Sequence, residues 1–168
     1  MPVVNPDHLL DQSDYLIASA VGARRQVDLR RAISNAYYAL FHAALTEAAD
    51  DFVGKRNRQT FRYAAVYRSV SHKYLRNLCD DITKDSLPAK YSSSVPSGGF
   101  GYEIKSYAAA LSSLQERRHA ADYDPLATTR LSDASLAVAE SRSALAKFRQ
   151  ASRAQKKAFS TLVVFSPF

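Results

Sequence analysis

The feature that most constrains the fold is an apolar stripe of helical period in the first third of the chain. Its members recur at steps of three and four, which places them on one side of an α-helix. They are Leu29, Ala32, Ile33, Ala36, Tyr37, Leu40, Ala44 and Leu45. The stripe predicts a helix that begins at Ala23 or Arg24 and continues to about Ala49, with one face against a core.

Four further segments have helical signatures, so the chain is predicted to be an all-α bundle of about five helices. The fifth segment has a three-four apolar seam, which is typical of packing along a neighbouring helix. The predicted bounds are a first helix capped by Asn5 or Asp7 and ending by Gly22, a third from Phe61 to about Ile82, a fourth from Tyr102 to Tyr123, and a fifth capped by Thr128, Thr129 or Ser132 and reaching Phe148.

The composition supports one helical domain spanning residues 1–168. The chain is 46% hydrophobic and has only five glycines and six prolines, so turn-rich β architectures are unfavourable. The single cysteine, Cys79, falls in a helical pattern and is predicted to be a buried thiol. Because the chain has neither a long apolar run nor the start of a secretion signal, the sequence predicts a soluble, cytoplasmic protein without a membrane span.

Two segments do not fit the helical pattern. Residues 85–100 are rich in serine, glycine and proline and are predicted to form a long mobile loop before the fourth helix, either disordered or a flap over a site. Residues 158–168 form an apolar C-terminal tail. A tail this apolar should dock, either on its own bundle or on a second subunit.

The chain is basic, with a formal net charge of +7. Such a surface attracts polyanions such as RNA, although basic residues also serve solubility. Positive charge is dense along the predicted third helix, which is the best candidate for a face that follows phosphates, or else an ordinary solvated surface. The residues concerned are Lys55, Arg56, Arg58, Arg62, Arg68, His72, Lys73 and Arg76.

Ionisable and aromatic residues crowd the end of the predicted fourth helix. Pro125 lacks an N–H and disfavours helical geometry at the preceding residue, so the helix should end near Tyr123. Just before that point lie the candidate catalytic residues Arg117, Arg118, His119, Asp122 and Tyr123. The group is either a functional site or a solvated helix terminus in which Arg118 and Asp122 form an i,i+4 ion pair.

The predicted second helix also has a polar stripe beside its apolar face. Arg31, Asn35, Tyr38 and His42 follow helical spacing and are candidate binding residues that could meet the charged helix end. Alternatively, Tyr38 and His42 lie at the edge of the apolar face with their polar atoms exposed to solvent. The four histidines are far apart in sequence and no metal or phosphate-loop motif is present, so neither a metal nor a cofactor is predicted.

The two motifs together, Arg31 to Ala44 and then Arg117 to Pro125, resemble the HEPN superfamily of small helical-bundle proteins. The resemblance implies an up-and-down bundle that forms a homodimer, with the ends of two fourth helices building a shared cleft. It also implies binding of RNA or a nucleotide, and for many members a metal-independent endoribonuclease activity. Such members are often toxins paired with a nucleotidyltransferase antitoxin.

By that resemblance, Arg117 matches the family arginine and Tyr123 matches the tyrosine region. Asp122 stands where the family has histidine, which argues against ribonuclease activity because an ionised carboxylate repels phosphate and is a poor proton donor. Catalysis would then need His119 or His42. The alternative is a noncatalytic helical interaction module in which Arg117, Arg118, Asp122 and Tyr123 form buried pairs across a dimer.

Overall fold

The structure is a computed structural model that describes residues 3–19 and 26–166, and its regular elements in those ranges are all helical. The helices are α1 (Pro6–Ala18), α2 (Gln26–Phe52), α3 (Phe61–Arg68), α4 (His72–Thr83), α5 (Gly101–Tyr123), α6 (Leu131–Gln150) and α7 (Arg153–Val164). The all-α prediction is confirmed. The predicted number of about five helices is wrong, because the described residues form seven. None of these seven is long and apolar enough to span a membrane.

Helix α2 lies at the centre of the bundle and packs against α1, α3, α5, α6 and α7. Its apolar stripe is buried as predicted, with Ala32, Ala36, Tyr37 and Leu40 fully enclosed. Asn5 caps α1 by accepting the Asp7 N–H at 3.0 Å, which confirms one of the two predicted caps. The predicted boundaries at Gly22 and at Ala23 or Arg24 lie outside the described residues.

The predicted third helix, Phe61 to Ile82, is in fact two helices. Ser71 caps a new helix by accepting the Tyr74 N–H at 3.1 Å, and Val70 before it is buried. Thr60 caps α3 in the same way through the Tyr63 N–H at 3.3 Å. The prediction failed because a serine can end one helix by starting the next, without a glycine or proline to mark the break.

Helix α5 ends at Tyr123 as predicted, and the predicted seam of α6 is buried except for Leu131, which is half-buried. The predicted caps of this helix, Thr128, Thr129 and Ser132, are wrong. The cap is Arg130, whose N–H donates to Asp133 Oδ2 at 2.9 Å. The backbone of Thr129 is instead held by the side chain of Gln26, at 2.8 and 2.9 Å.

The predicted apolar tail is largely a seventh helix. Ser152 and Gln155 form a capping box that starts α7, and Phe159, Leu162 and Val163 are buried against the bundle. Tyr74 of α4 donates to the Leu162 carbonyl at 2.5 Å. The tail was predicted to dock on its own bundle or on a second subunit, and its described part packs on its own bundle. A Cβ on Gly101, at the start of α5, would lie 2.2 Å from Nε2 at the end of the Gln155 side chain of α7, so that side chain would have to move.

The predicted loop before α5 is present but is anchored to the bundle. Its 3₁₀ turn, Ala89–Tyr91, buries Tyr91, which donates to Asp81 Oδ2 at 2.8 Å. Lys84 and Lys90 also reach Asp81, at 2.6 and 2.9 Å. Burial opposes ionisation of this carboxylate, but hydrogen bonds from Lys84, Lys90 and Tyr91 outweigh it and lower the pKa of Asp81 to about 2. Mobility of residues 85–100 stays a prediction.

Replacing Asp81 with alanine should loosen the loop. We expect Asp81→Ala to reduce the free energy of unfolding by about 1–2 kcal/mol, because the buried Tyr91 hydroxyl loses its acceptor while the exposed lysines contribute little. Urea unfolding at pH 7 measures the change. Since the folded carboxyl has the lower pKa, its contribution is present above about pH 4 and disappears toward pH 2. An equal deficit at pH 2 and pH 7 would contradict this account.

Candidate functional site

The polar stripe of α2 and the charged end of α5 face each other. Ser34 bonds to Asp122, and one turn further along α2 the Tyr38 hydroxyl accepts from Arg118 Nη2 at 2.7 Å. The sequence numbers rise along one helix and fall along the other, so the two helices run antiparallel. The i,i+4 spacing of each pair therefore brings four polar side chains onto one shared strip.

Arg118 lies at the middle of this strip and is only 13% exposed at its side chain. Its guanidinium carbon lies 5.3 Å from the ring centre of Tyr38 and 5.2 Å from that of Tyr123, so the cation sits against two aromatic rings. Nη2 also lies 3.3 Å from the Tyr123 hydroxyl. The other terminal nitrogen, Nη1, donates to none of the described residues.

Asp122 neutralises part of this charge. Its Oδ2 lies 2.7 Å from Arg118 Nε, although the N–H is not directed at the oxygen, and its Oδ1 accepts from the Ser34 hydroxyl. The side chain of Asp122 is 28% exposed, so the carboxylate borders the surface. The predicted i,i+4 pair is therefore present. It forms one part of a network that reaches α2 and is not confined to the helix end.

Arg117, the arginine matched by the resemblance, lies away from the network. Its Nη1 donates to Glu140 Oε2 at 2.7 Å and its Nη2 to the Asp133 carbonyl at 2.7 Å, both on α6. Adjacent residues on a helix point about 100° apart, so Arg117 and Arg118 serve different neighbours. The arginine available beside Tyr38 and Asp122 is Arg118.

The candidate binding stripe is divided among several neighbours. Tyr38 joins the Arg118 network, and His42 stacks on Tyr38 with ring centres 6.0 Å apart. Asn35 is buried and donates to Gln12 Oε1 at 3.0 Å, so it fastens α1 to α2. Arg31 is exposed and lines an open pocket of about 590 Å³ together with Asp122. Arg31 thus remains beside the charged end of α5.

Sequence reasoning missed Ser34 and Tyr37 and placed His72 only among surface cations. The Tyr37 hydroxyl lies 2.6 Å from His72 Nδ1, and burial raises the pKa of Tyr37, with Arg118 opposing it. The signal for Ser34 was its position four residues before Tyr38 on the same helix face. Contacts between Tyr37 and His72 depend on how α4 packs, which local spacing does not encode.

The histidines differ in their surroundings. Burial lowers the pKa of His42, with a smaller contribution from His72, and burial followed by the charge of Arg118 lowers the pKa of His72. Both rings are therefore neutral at neutral pH, and each has Nδ1 against a tyrosine hydroxyl. His119 is exposed, with its ring 5.1 Å from that of Tyr123 and no hydrogen bond to a described residue.

The arrangement suits recognition of an anion. A guanidinium held by aromatic rings, whose Nη1 donates to none of the described residues, can donate to a phosphate oxygen, and the hydroxyls of Tyr38 and Tyr123 lie beside it. Within residues 3–19 and 26–166, no group of three or more His, Cys, Asp or Glu side chains is placed to hold a metal ion. Comparison of the chain with models of protein families, with curated proteins and with solved structures gives no match.

Proposed function

We propose that this protein is a HEPN-like, RNA-binding helical bundle whose Arg118 network contacts backbone phosphates. The observation that carries the proposal is the state of Arg118: its position is fixed by Tyr38, Tyr123 and Asp122, while Nη1 is left without a partner among the described residues. A fixed cation needs little reorganisation to bind phosphate. The up-and-down topology, the homodimer and the shared cleft are further parts of the proposal, and they rest on the resemblance.

Electrostatics support RNA as the ligand. The chain has a net charge of +7, so a long polyanion gains more contacts than a single nucleotide does. A single nucleotide would bind the same Arg118 network through fewer negative charges. An adjacent nucleotidyltransferase is the partner that the resemblance implies, and Tyr123, exposed at the end of α5, is the tyrosine such an enzyme would modify.

The enzymatic form of this proposal is a metal-independent endoribonuclease. In that reaction the 2′-oxygen attacks phosphorus after losing its proton, the bond to the 5′-oxygen breaks, and a proton is returned to the leaving oxygen. His119 is the histidine beside the network that keeps both ring nitrogens free of described partners. Asp122 opposes this chemistry, because its negative charge lies within 2.7 Å of Arg118.

The purified wild-type protein tests the proposal directly. We expect labelled single-stranded RNA to bind with an affinity that falls steeply with salt, because phosphate contacts release counterions. Incubation of unmodified RNA with excess chelator then tells a nuclease from a noncatalytic binder. Cleavage should yield a cyclic phosphate and a 5′-hydroxyl. RNA affinity that is undetectable, or that does not change with salt, would overturn the proposal.

A second candidate function, a noncatalytic dimerisation module, is favoured by the apolar surface around the same helix end. Leu126 is 88% exposed and lines one open pocket with the exposed Val27 of α2, and the exposed Leu136 of α6 lines an adjoining pocket. Large apolar side chains grouped on a surface are typical of an interface. Both candidates include a dimer, so RNA binding separates them: if sedimentation shows a stable dimer and that dimer binds no RNA, only the interaction module remains.

A further inference from the structure

The segment from residue 55 to residue 76 has an unusual charge pattern. It contains seven lysines and arginines and no aspartate or glutamate. In the structure it forms a 3₁₀ turn, Lys55–Asn57, followed by α3 and the first turns of α4. A stretch of one charge sign on consecutive elements produces a local positive potential.

Most of these cations are free of acidic partners. Arg58 is paired with Asp50, and Arg76 is paired with Glu116 and Asp80. The other five are exposed and form no ion pair with a described residue. They are Lys55, Arg56, Arg62, Arg68 and Lys73. Asp51, exposed at the end of α2, is the acidic residue next to this segment in sequence.

Exposed aromatic rings lie among these cations. Phe61, at the start of α3, is 87% exposed, and Phe52, at the end of α2, is also exposed. Both rings line one open pocket of about 550 Å³ together with Arg62 and Thr60. An exposed phenylalanine ring has no polar group to bond with water. A flat ring beside a cation allows a nucleobase to stack on the ring while the adjoining phosphate contacts the cation.

Helix α3 connects this pocket with the Arg118 network. The hydroxyl oxygen of Tyr67, near the other end of α3, lies 2.7 Å from His42 Nδ1, and the ring of His42 stacks on that of Tyr38. Phe61 and Tyr67 are six residues apart, which is about 9 Å along a helix. The two rings also lie about 120° apart around the helix, so a single strand of several nucleotides has to pass around α3 to touch both places.

We infer that Phe61 and the five unpaired cations form a second RNA contact surface, on which a base of single-stranded RNA stacks on Phe61 while Arg62 and its neighbours bind the adjoining phosphates. The inference rests on the proposed function, since both name RNA as the ligand. It adds a place that the Arg118 network does not include. The aromatic and positive character together favour RNA over a protein partner, for which an apolar patch without free cations would suffice.

A fluorescence experiment tests the stacking step directly, because the chain contains no tryptophan. Phe61→Trp introduces a single tryptophan at the proposed platform, and Tyr15→Trp introduces one on α1, at a side chain that is 71% exposed. The probe is a 2′-O-methyl oligouridine 12-mer, which lacks the free 2′-hydroxyl that cleavage requires. We expect quenching in Phe61→Trp and none in Tyr15→Trp. Equal responses of the two tryptophans would overturn the inference.

Binding measurements separate the two surfaces. We expect Phe61→Ala to weaken binding of the same 12-mer about tenfold without changing its salt dependence, since stacking involves no counterions. Arg62→Gln should reduce the magnitude of the slope of log affinity against log salt by about 0.7, because one phosphate contact is lost. The control is Lys157→Gln, which replaces an exposed lysine of α7 that has no ion pair with a described residue, and it should weaken binding less.

The outcomes distinguish this inference from the proposed function. If Arg118→Ala weakens binding while Phe61→Ala and Arg62→Gln do not, the second surface is wrong and the Arg118 network stands. If Phe61→Ala and Arg62→Gln weaken binding while Arg118→Ala does not, the second surface stands and the network is not an RNA site. A wild-type protein that does not bind the 12-mer overturns both.

Discussion

Arg118→Ala is expected to lower RNA affinity at least tenfold. The variant removes a fixed guanidinium whose hydrogen bonds to a phosphate would each contribute about 1.5–3 kcal/mol, which corresponds to roughly ten- to a hundredfold in affinity. Fluorescence anisotropy with a labelled 12-mer at fixed salt measures the loss. Arg118→Lys should recover only part of it, because lysine keeps the charge but lacks the planar guanidinium, whose separate nitrogens are fixed toward Tyr38 and toward a phosphate.

Arg117→Ala is the matched control, because it removes the same side chain from the next position of the same helix. Arg117 donates to Glu140 and to the Asp133 carbonyl, so its loss should weaken the packing of α5 on α6 and lower the free energy of unfolding by about 1 kcal/mol. RNA affinity should stay within about twofold of the wild-type value. Unfolding in urea must be measured for both variants, so that a folding defect is not read as a binding defect. If Arg117→Ala lowers RNA affinity more than Arg118→Ala does, Arg117 is the RNA-binding arginine, as the family resemblance implies.

The ambiguity between the two arginines shows what periodicity could and could not predict. Leu111, Leu114 and Ala121 mark the buried side of α5. By helical spacing Arg118 falls between Leu111 and Leu114, whereas Arg117 falls at the edge of that stripe. Which neighbouring helix each arginine contacts depends on the arrangement of whole helices. The burial of Arg118 was therefore predictable from spacing, but its contact with Tyr38 was not.

The same division applies to the fold. Long periodic stripes predicted α2 and α5 because each spans several turns and contributes a whole face to the core. The break at Ser71 and the start of α7 at Ser152 depend on one or two hydrogen bonds at helix caps, and serine also occurs inside helices. The Ser152 and Gln155 spacing of a capping box was a signal that an apolar reading of the tail overlooked.

The role of the Arg118 network decides between RNA binding and a purely structural function, and Asp122 gives the sharper test because its two effects have opposite signs. Asp122→Asn should lower the free energy of unfolding by about 1 kcal/mol, since the Arg118 ion pair is lost while the amide oxygen can still accept from Ser34.

The same substitution should strengthen RNA binding by about fivefold. A negative charge beside Arg118 repels phosphate, and removing it at a partly exposed site contributes about 1 kcal/mol. Asp124→Asn is the control: it removes the same charge two residues away, where the carboxylate accepts from the Leu126 N–H at 2.9 Å and does not touch Arg118. If the network only fixes the geometry of a dimer, Asp122→Asn should weaken dimerisation and leave RNA affinity unchanged. Lower stability combined with tighter RNA binding is the pair of results that a phosphate site predicts.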